Sequence, residues 1–196
     1  MKFSKLSLIL FLFTFAFLTS CNDDDDIGGG GGEEELITTL NFTLTSTSGD
    51  VVTLSFQDLD GDGGDDPIIS GGTLAANTTY TGITTFLNES ETPAEDVTIE
   101  VREEDDEHQV FFIPSSSLNA TVSYSDEDDA GNPVGLTSSL TTGDASSGTL
   151  QIILRHEPDK SASGVAGGDI TNAGGCLLYT SPSPRDQRGS RMPSSA

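Results

Sequence analysis

Hydrophobic and polar residues alternate with a period of two along much of residues 36–175. This alternation is typical of antiparallel strands that bury one face. Five segments show it most clearly. Their apolar positions are Leu36, Leu40, Phe42 and Leu44; Val52, Leu54 and Phe56; Val97, Ile99 and Val101; Leu118, Ala120, Val122 and Tyr124; and Leu150, Ile152 and Leu154. No segment has a convincing helical period, so the pattern predicts short strands throughout.

Turn-forming residues separate these segments. Gly, Asn, Asp and Pro are concentrated in "TSGD" (47–50), "NESETPAED" (88–96), "DEDDAGNP" (126–133) and "TGDASSG" (142–148). Short alternating strands punctuated in this way predict an all-β domain over residues 36–175, an immunoglobulin-like antiparallel β-sandwich. The domain has no Trp and no pair of cysteines, so the likeness to immunoglobulin domains is one of architecture alone.

The N-terminus has the parts of a bacterial export signal. Lys2 and Lys5 precede the apolar run "LSLILFLFTFAFL" (6–18), which is too short to span a bilayer and is typical of a signal-peptide core. The following "LTSC" resembles a lipobox, the motif in which bacteria attach diacylglycerol to the cysteine thiol. Residues 1–20 are therefore predicted to be a lipoprotein signal peptide and Cys21 the lipidated residue. The alternative is an ordinary secretory leader with an incidental cysteine.

Residues 21–35 form an acidic, glycine-rich segment, "CNDDDDIGGGGGEEE". Gly-rich composition and charge runs are typical of a flexible, solvated tether. The run Asp23–Asp26 also resembles the acidic signal that sends Bacteroidota lipoproteins to the outer face of the outer membrane. We expect display on the cell surface, and the alternative is a spacer on a lipoprotein of the periplasmic face.

The last segment, "CLLYTSPSPRDQRGSRMPSSA" (176–196), differs in composition from the acidic residues before it. It resembles one reading frame of a transposase-type sequencing adapter, and such segments are set aside in fold reasoning. The resemblance implies that residues 176–196 are disordered and pack poorly. It also implies that the sandwich is truncated, with at least one C-terminal strand missing after Gly175 and a sheet edge left uncovered.

The formal charge of the whole chain is −24, and the segment from residue 21 to residue 175 holds 3 basic against 31 acidic residues, a charge of −28. Nucleic acids and anionic lipid surfaces would repel such a domain. We therefore expect no nucleic-acid partner, and contact with the membrane through the lipid anchor only.

The stretch "DLDGDGGDDP" (58–67) suggests a cation site. Its first half matches an EF-hand calcium loop, in which alternate carboxylates converge on one ion. The second half departs from that pattern, because Ile69 stands where the bidentate Glu should be and Pro67 intrudes. A less regular calcium site would use Asp58, Asp60, Asp62, Asp65 and Asp66. The alternative is a solvated acidic turn.

A second candidate is "RHEPDK" (155–160), in which His156 could act with Glu157 or Asp159 as an acid/base pair or as transition-metal ligands. We favour the alternative, a strand that ends in a proline turn. The chain shows no nucleophile elbow, no phosphate-binding glycine loop and no clustered His or Cys ligands, so we do not expect an enzyme.

Residues 1–175 together resemble the small cell-surface lipoproteins of flavobacteria, many of which have no assigned activity. The lipobox and the acidic run carry this resemblance. It implies a lipid-anchored surface β-sandwich that acts as a binding or structural/adhesion module, with an extracellular protein or glycan as its partner. The alternatives are a calcium-stabilised spacer domain and, less favoured, an enzyme that uses His156.

Overall fold

The computed structural model describes residues 36–61 and 64–181. The strands are β1 (Thr39–Ser46), β2 (Val51–Gln57), β3 (Ile68–Ser70), β4 (Thr79–Leu87), β5 (His108–Pro114), β6 (Ala120–Tyr124), β7 (Thr137–Thr142), β8 (Leu150–His156) and β9 (Cys176–Ser181). One short helix, α1 (Thr98–Glu103), and two 3₁₀ turns, Val165–Gly167 and Ile170–Asn172, complete the regular structure.

These strands form two antiparallel sheets. The larger has the order β3-β2-β1-β4-β7-β6, and the smaller has the order β5-β8-β9. The prediction of an all-β, sandwich-like fold is thus confirmed. Four of the five predicted segments coincide with strands β1, β2, β6 and β8, and the predicted apolar positions within these strands lie on the inward face. Leu36, which is 58% exposed, and Leu118 lie before β1 and β6.

The core lies between the two sheets. Phe42 of β1 and Phe112 of β5 meet there with ring centroids 5.2 Å apart, and Phe56 and Phe86 each form a T-shaped pair with Tyr179 of β9. Burying one such side chain stabilises the fold by about 1.5–3 kcal/mol. These aromatic contacts are therefore a main source of cohesion between the sheets.

The predicted strand at Val97, Ile99 and Val101 is wrong, because these residues lie in or next to α1. Apolar residues four apart share one face of a helix as well as of a strand. Val97 and Val101 are buried, whereas Ile99 is 50% exposed. The turn begins where the Asp96 carboxylate accepts a hydrogen bond from the Thr98 amide at 3.1 Å.

The expectation of poor packing is wrong for residues 176–181, which form β9. This strand pairs with β8, so that Cys176 lies opposite His156, and it places Tyr179 in the core at 8% exposure. The physical reason is that the unpaired edge of β8 accepts a β-prone segment with one inward-facing aromatic side chain. The prediction that no strand begins after Gly175 is wrong for the same reason. Residues 182–196 lie outside the described residues.

The predicted signal peptide, the lipidation site Cys21 and the tether to residue 35 also lie outside the described residues. Cys176, at the start of β9, is disulfide-bonded. Over residues 36–61 and 64–181, the structure contains no helix with the length and apolar character that a membrane span requires.

Candidate functional site

The Asp-rich loop follows β2, and two of its carboxylates hold its own backbone. Asp58 Oδ1 accepts a hydrogen bond from the Gly61 amide at 2.9 Å, and Asp60 Oδ2 accepts one from the Asp65 amide at 2.8 Å. Asp65 and Asp66 are exposed to solvent. In the described part of the chain, which excludes Asp62, the loop supplies no group of three carboxylates close enough to share an ion.

The two histidines of the chain, by contrast, lie side by side. His108 begins β5, His156 ends β8, and the antiparallel register places them directly opposite each other. Their rings stack with centroids 5.0 Å apart and an interplanar angle of 27°. His108 is fully buried, whereas the His156 side chain is 27% exposed. One imidazole of the pair therefore belongs to the interior and the other is open to solvent.

Three glutamates surround this histidine pair. Glu107 Oε2 lies 3.4 Å from His156 Nε2, and the Glu107 carbonyl accepts a hydrogen bond from the Glu157 amide at 2.6 Å. Ligand atoms of Glu104, His108 and His156 all lie within 4.8 Å of one another, and the same holds for Glu107, His156 and Glu157. We call these five residues the histidine cluster.

The remaining predicted partner of His156 is engaged elsewhere. Asp159 Oδ1 accepts hydrogen bonds from the amide and the hydroxyl of Ser161, at 3.1 and 2.6 Å. Asp159 thus closes its own turn, and the structure brings Glu107 to His156 instead. Sequence reasoning missed both His108 and Glu107 as neighbours of His156. The available signal was the strand-like run that starts at His108, but the pairing partner of that strand could not be read from it.

Lys160, two residues after the proline turn, has a partner that is distant in sequence. Its Nζ lies 3.1 Å from Asp128 Oδ2, and both side chains are at most 5% exposed. Lys160 Nζ also donates to the Asp105 carbonyl. Burial acts to raise the pKa of Asp128, but hydrogen bonds from Asn132 and Lys160 outweigh it and hold the pKa below its ordinary value.

Asp126, in the same acidic turn, also has a structural role. Its two carboxylate oxygens accept hydrogen bonds from the amides of Gly135 and Thr137, at 2.8 and 2.7 Å. The turn "DEDD" (126–129) is therefore held by hydrogen bonds from the backbone and by an ion pair.

The outer face of the larger sheet carries only uncharged side chains. One row crosses five strands in register, as Val51, Thr45, Thr81, Ser139 and Ser123. We call the outward residues of these five strands the uncharged face: Asn41, Thr43, Thr45, Val51, Thr53, Ser55, Thr79, Thr81, Ile83, Thr85, Thr121, Ser123, Thr137, Ser139 and Thr141.

Hydroxyl groups on this face meet across the strands. Thr43 and Thr53 share a hydrogen bond of 3.3 Å, and Thr79 and Thr141 share one of 3.1 Å. At one margin Glu89 accepts hydrogen bonds from Thr39 and Gln57, and these hold its pKa below the ordinary value. In a domain this acidic, a sheet face whose own strands carry no charged side chain is a distinctive feature. Charged side chains of neighbouring segments, such as Arg102 and Glu127, lie beside it where Ile83 and Thr137 line a shared pocket.

Comparison with models of protein families, with curated proteins and with solved structures found no match to this chain.

Proposed function

We propose that the chain is a lipid-anchored β-sandwich that acts at the outer face of the outer membrane as a binding or structural/adhesion module. The leader, the lipobox ending at Cys21 and the acidic tether support the location. The observation that carries the function is the uncharged face, because charge is absent there although residues 21–175 carry 31 acidic residues.

The energetics of desolvation favour this face as the contact surface. Removing a carboxylate from water costs far more than removing a hydroxyl that finds a new hydrogen bond. A partner that docks on an acidic turn such as residues 126–129 meets clustered Asp and Glu, whereas one that docks on the row through Thr81 meets hydroxyl and methyl groups only. The surface therefore fits an uncharged partner rich in hydrogen-bonding groups.

A neutral polysaccharide has this chemistry, because its hydroxyls both donate and accept. The uncharged face has no aromatic ring on which a sugar could stack. Affinity for a short oligosaccharide should therefore be weak, and binding should depend on many contacts along a polymer and on many anchored copies. An uncharged protein surface is the other partner that this chemistry admits.

The location is tested on intact cells that express the full chain. Added protease should remove the domain from intact cells, and replacing Asp23–Asp26 by asparagine should protect it by leaving the protein in the periplasm. Protection of the unaltered protein in intact cells, with digestion after lysis, would place it on the periplasmic side and contradict surface display.

The contact face is tested by cosedimentation of the detergent-solubilised full chain with insoluble polysaccharides. The unaltered protein should bind neutral polymers and not acidic ones. Thr81→Glu places a charge at the centre of the uncharged face and should abolish binding, whereas Ser116→Glu, an exposed residue after β5, should leave it unchanged. Equal binding by both variants would contradict the assignment of the face. Adhesion of cells to a protein-coated surface, lost only in Thr81→Glu, would identify the partner as protein.

A further inference from the structure

We infer that the histidine cluster is a binding site for a divalent transition-metal ion of the zinc class. This inference does not depend on the proposed surface function. Its basis is two groups of potential ligands that share His156: Glu104 and His108 in one, and Glu107 and Glu157 in the other. They come from three places in the chain, namely the segment after α1, the start of β5 and the end of β8.

The residue types suit such an ion. Imidazole nitrogens with one or two carboxylate oxygens are the ligands of many zinc sites, and calcium or magnesium would select oxygen alone. Zinc bonds of about 2.0–2.1 Å place tetrahedral ligands roughly 3.4 Å apart. His156 Nε2 and Glu107 Oε2 already have that separation, at 3.4 Å. Within each of the two groups the ligand atoms lie within 4.8 Å of one another, so side-chain rotations can bring them to bonding distance.

The buried histidine is oriented in the way that metal sites require. His108 Nδ1 lies 3.0 Å from the Glu104 carbonyl oxygen, which fixes that nitrogen as a hydrogen-bond donor. A metal-ligating histidine usually donates its other ring N–H to such an oxygen, and the second nitrogen then carries the lone pair. The backbone therefore selects one tautomer of His108 and fixes the plane of its ring.

The rest of the cluster gives the ion access and adds charge. The side chain of Glu107 is 50% exposed and that of His156 is 27% exposed, so an ion can enter from solvent. Glu157, which takes the left-handed backbone conformation with φ of 49°, lies at the exit of β8 and adds a third carboxylate. Bound metal would link the α1–β5 connection to the end of β8, and should therefore stabilise the fold.

The test uses the purified full chain with Cys176→Ser, so that no sulfur opposite His156 can serve as a ligand under any redox condition. Zinc at about 100 times its Kd should raise Tm by roughly 5–10 °C. Cobalt, used as a spectroscopic probe, should give the visible absorption of a low-coordinate His/carboxylate complex. A chelator should reverse both effects.

Two variants locate the site without touching the buried imidazole. His156→Ala should abolish the zinc-dependent rise in Tm and the cobalt spectrum, and Glu107→Gln should weaken zinc binding by about 10–100-fold. Asp58→Asn and Asp66→Asn, which alter the acidic loop, should leave both signals unchanged. Absence of any zinc effect in the parent, or an effect that survives in His156→Ala, would overturn the inference. Neither result bears on polysaccharide binding, so the two proposals fail separately.

Discussion

Lys160 Nζ and Asp128 Oδ2 form an ion pair of 3.1 Å that is almost completely removed from solvent. The pair joins the turn after β8 to the acidic turn between β6 and β7. Its two residues are 32 positions apart in sequence. Asp128 also accepts hydrogen bonds from the amides of Ala130 and Asn132, at 3.0 and 2.8 Å. Its charge is thus compensated by a cation and by backbone dipoles.

Removing the cation should destabilise the fold strongly. Lys160→Met keeps most of the side-chain volume but leaves a buried carboxylate without its ion-pair partner, and the expected loss in the free energy of unfolding is about 3–5 kcal/mol. Arg102→Met removes an exposed cation and should change stability by no more than about 0.5 kcal/mol. Urea denaturation of both variants measures this. Equal effects would show that the ion pair contributes nothing beyond net charge.

The same carboxylate predicts a dependence of stability on pH. Because the pKa of Asp128 is lower in the folded state than its unfolded value of about 3.9, its contribution is fully present above that value. It is lost as the pH falls through the lower, folded pKa. We expect the unfolding free energy of Asp128→Asn to vary less with pH below about 4 than that of the unaltered protein. Parallel curves would contradict the assignment.

Strand β9 should contribute to stability through one side chain. Tyr179 packs against Phe56 and Phe86 with ring centroids 5.8 and 6.1 Å away. Tyr179→Ala should therefore cost about 3–5 kcal/mol, as for other large aromatic truncations in a core. Leu177, on the same strand, is 52% exposed, and Leu177→Ala should cost much less. If the two variants were equally stable, β9 would not be packed as the structure has it.

Calcium provides a test of the spacer alternative. Asp58 and Asp60 bind backbone amides of their own loop, and the described carboxylates there do not converge. We expect Tm to be the same in millimolar calcium and in chelator. A rise in Tm with calcium that disappears in Asp58→Asn would instead support the calcium-stabilised domain.

The sequence predicts the sheet architecture well, because a strand with one buried face imposes its period of two locally. The alternating pattern does not reveal β5, because Val110, Phe111 and Phe112 are all buried and no polar residue alternates with them. It also mistakes α1 for a strand, because Val97 and Val101, four residues apart, fit both periods and Ile99 completes the strand-like alternation. The His108–His156 and Lys160–Asp128 contacts depend on strand register and tertiary packing, which no local pattern encodes.

The central claim is that Cys21 carries a lipid that holds the domain at the cell surface. The chain has two cysteines, and Cys21 is the one that ends the lipobox after the apolar leader.

Mass spectrometry of the protein extracted from membranes decides this most directly. We predict a mature N-terminus at Cys21 that bears diacylglycerol. An intact leader, or a Cys21 peptide without lipid, would contradict the account.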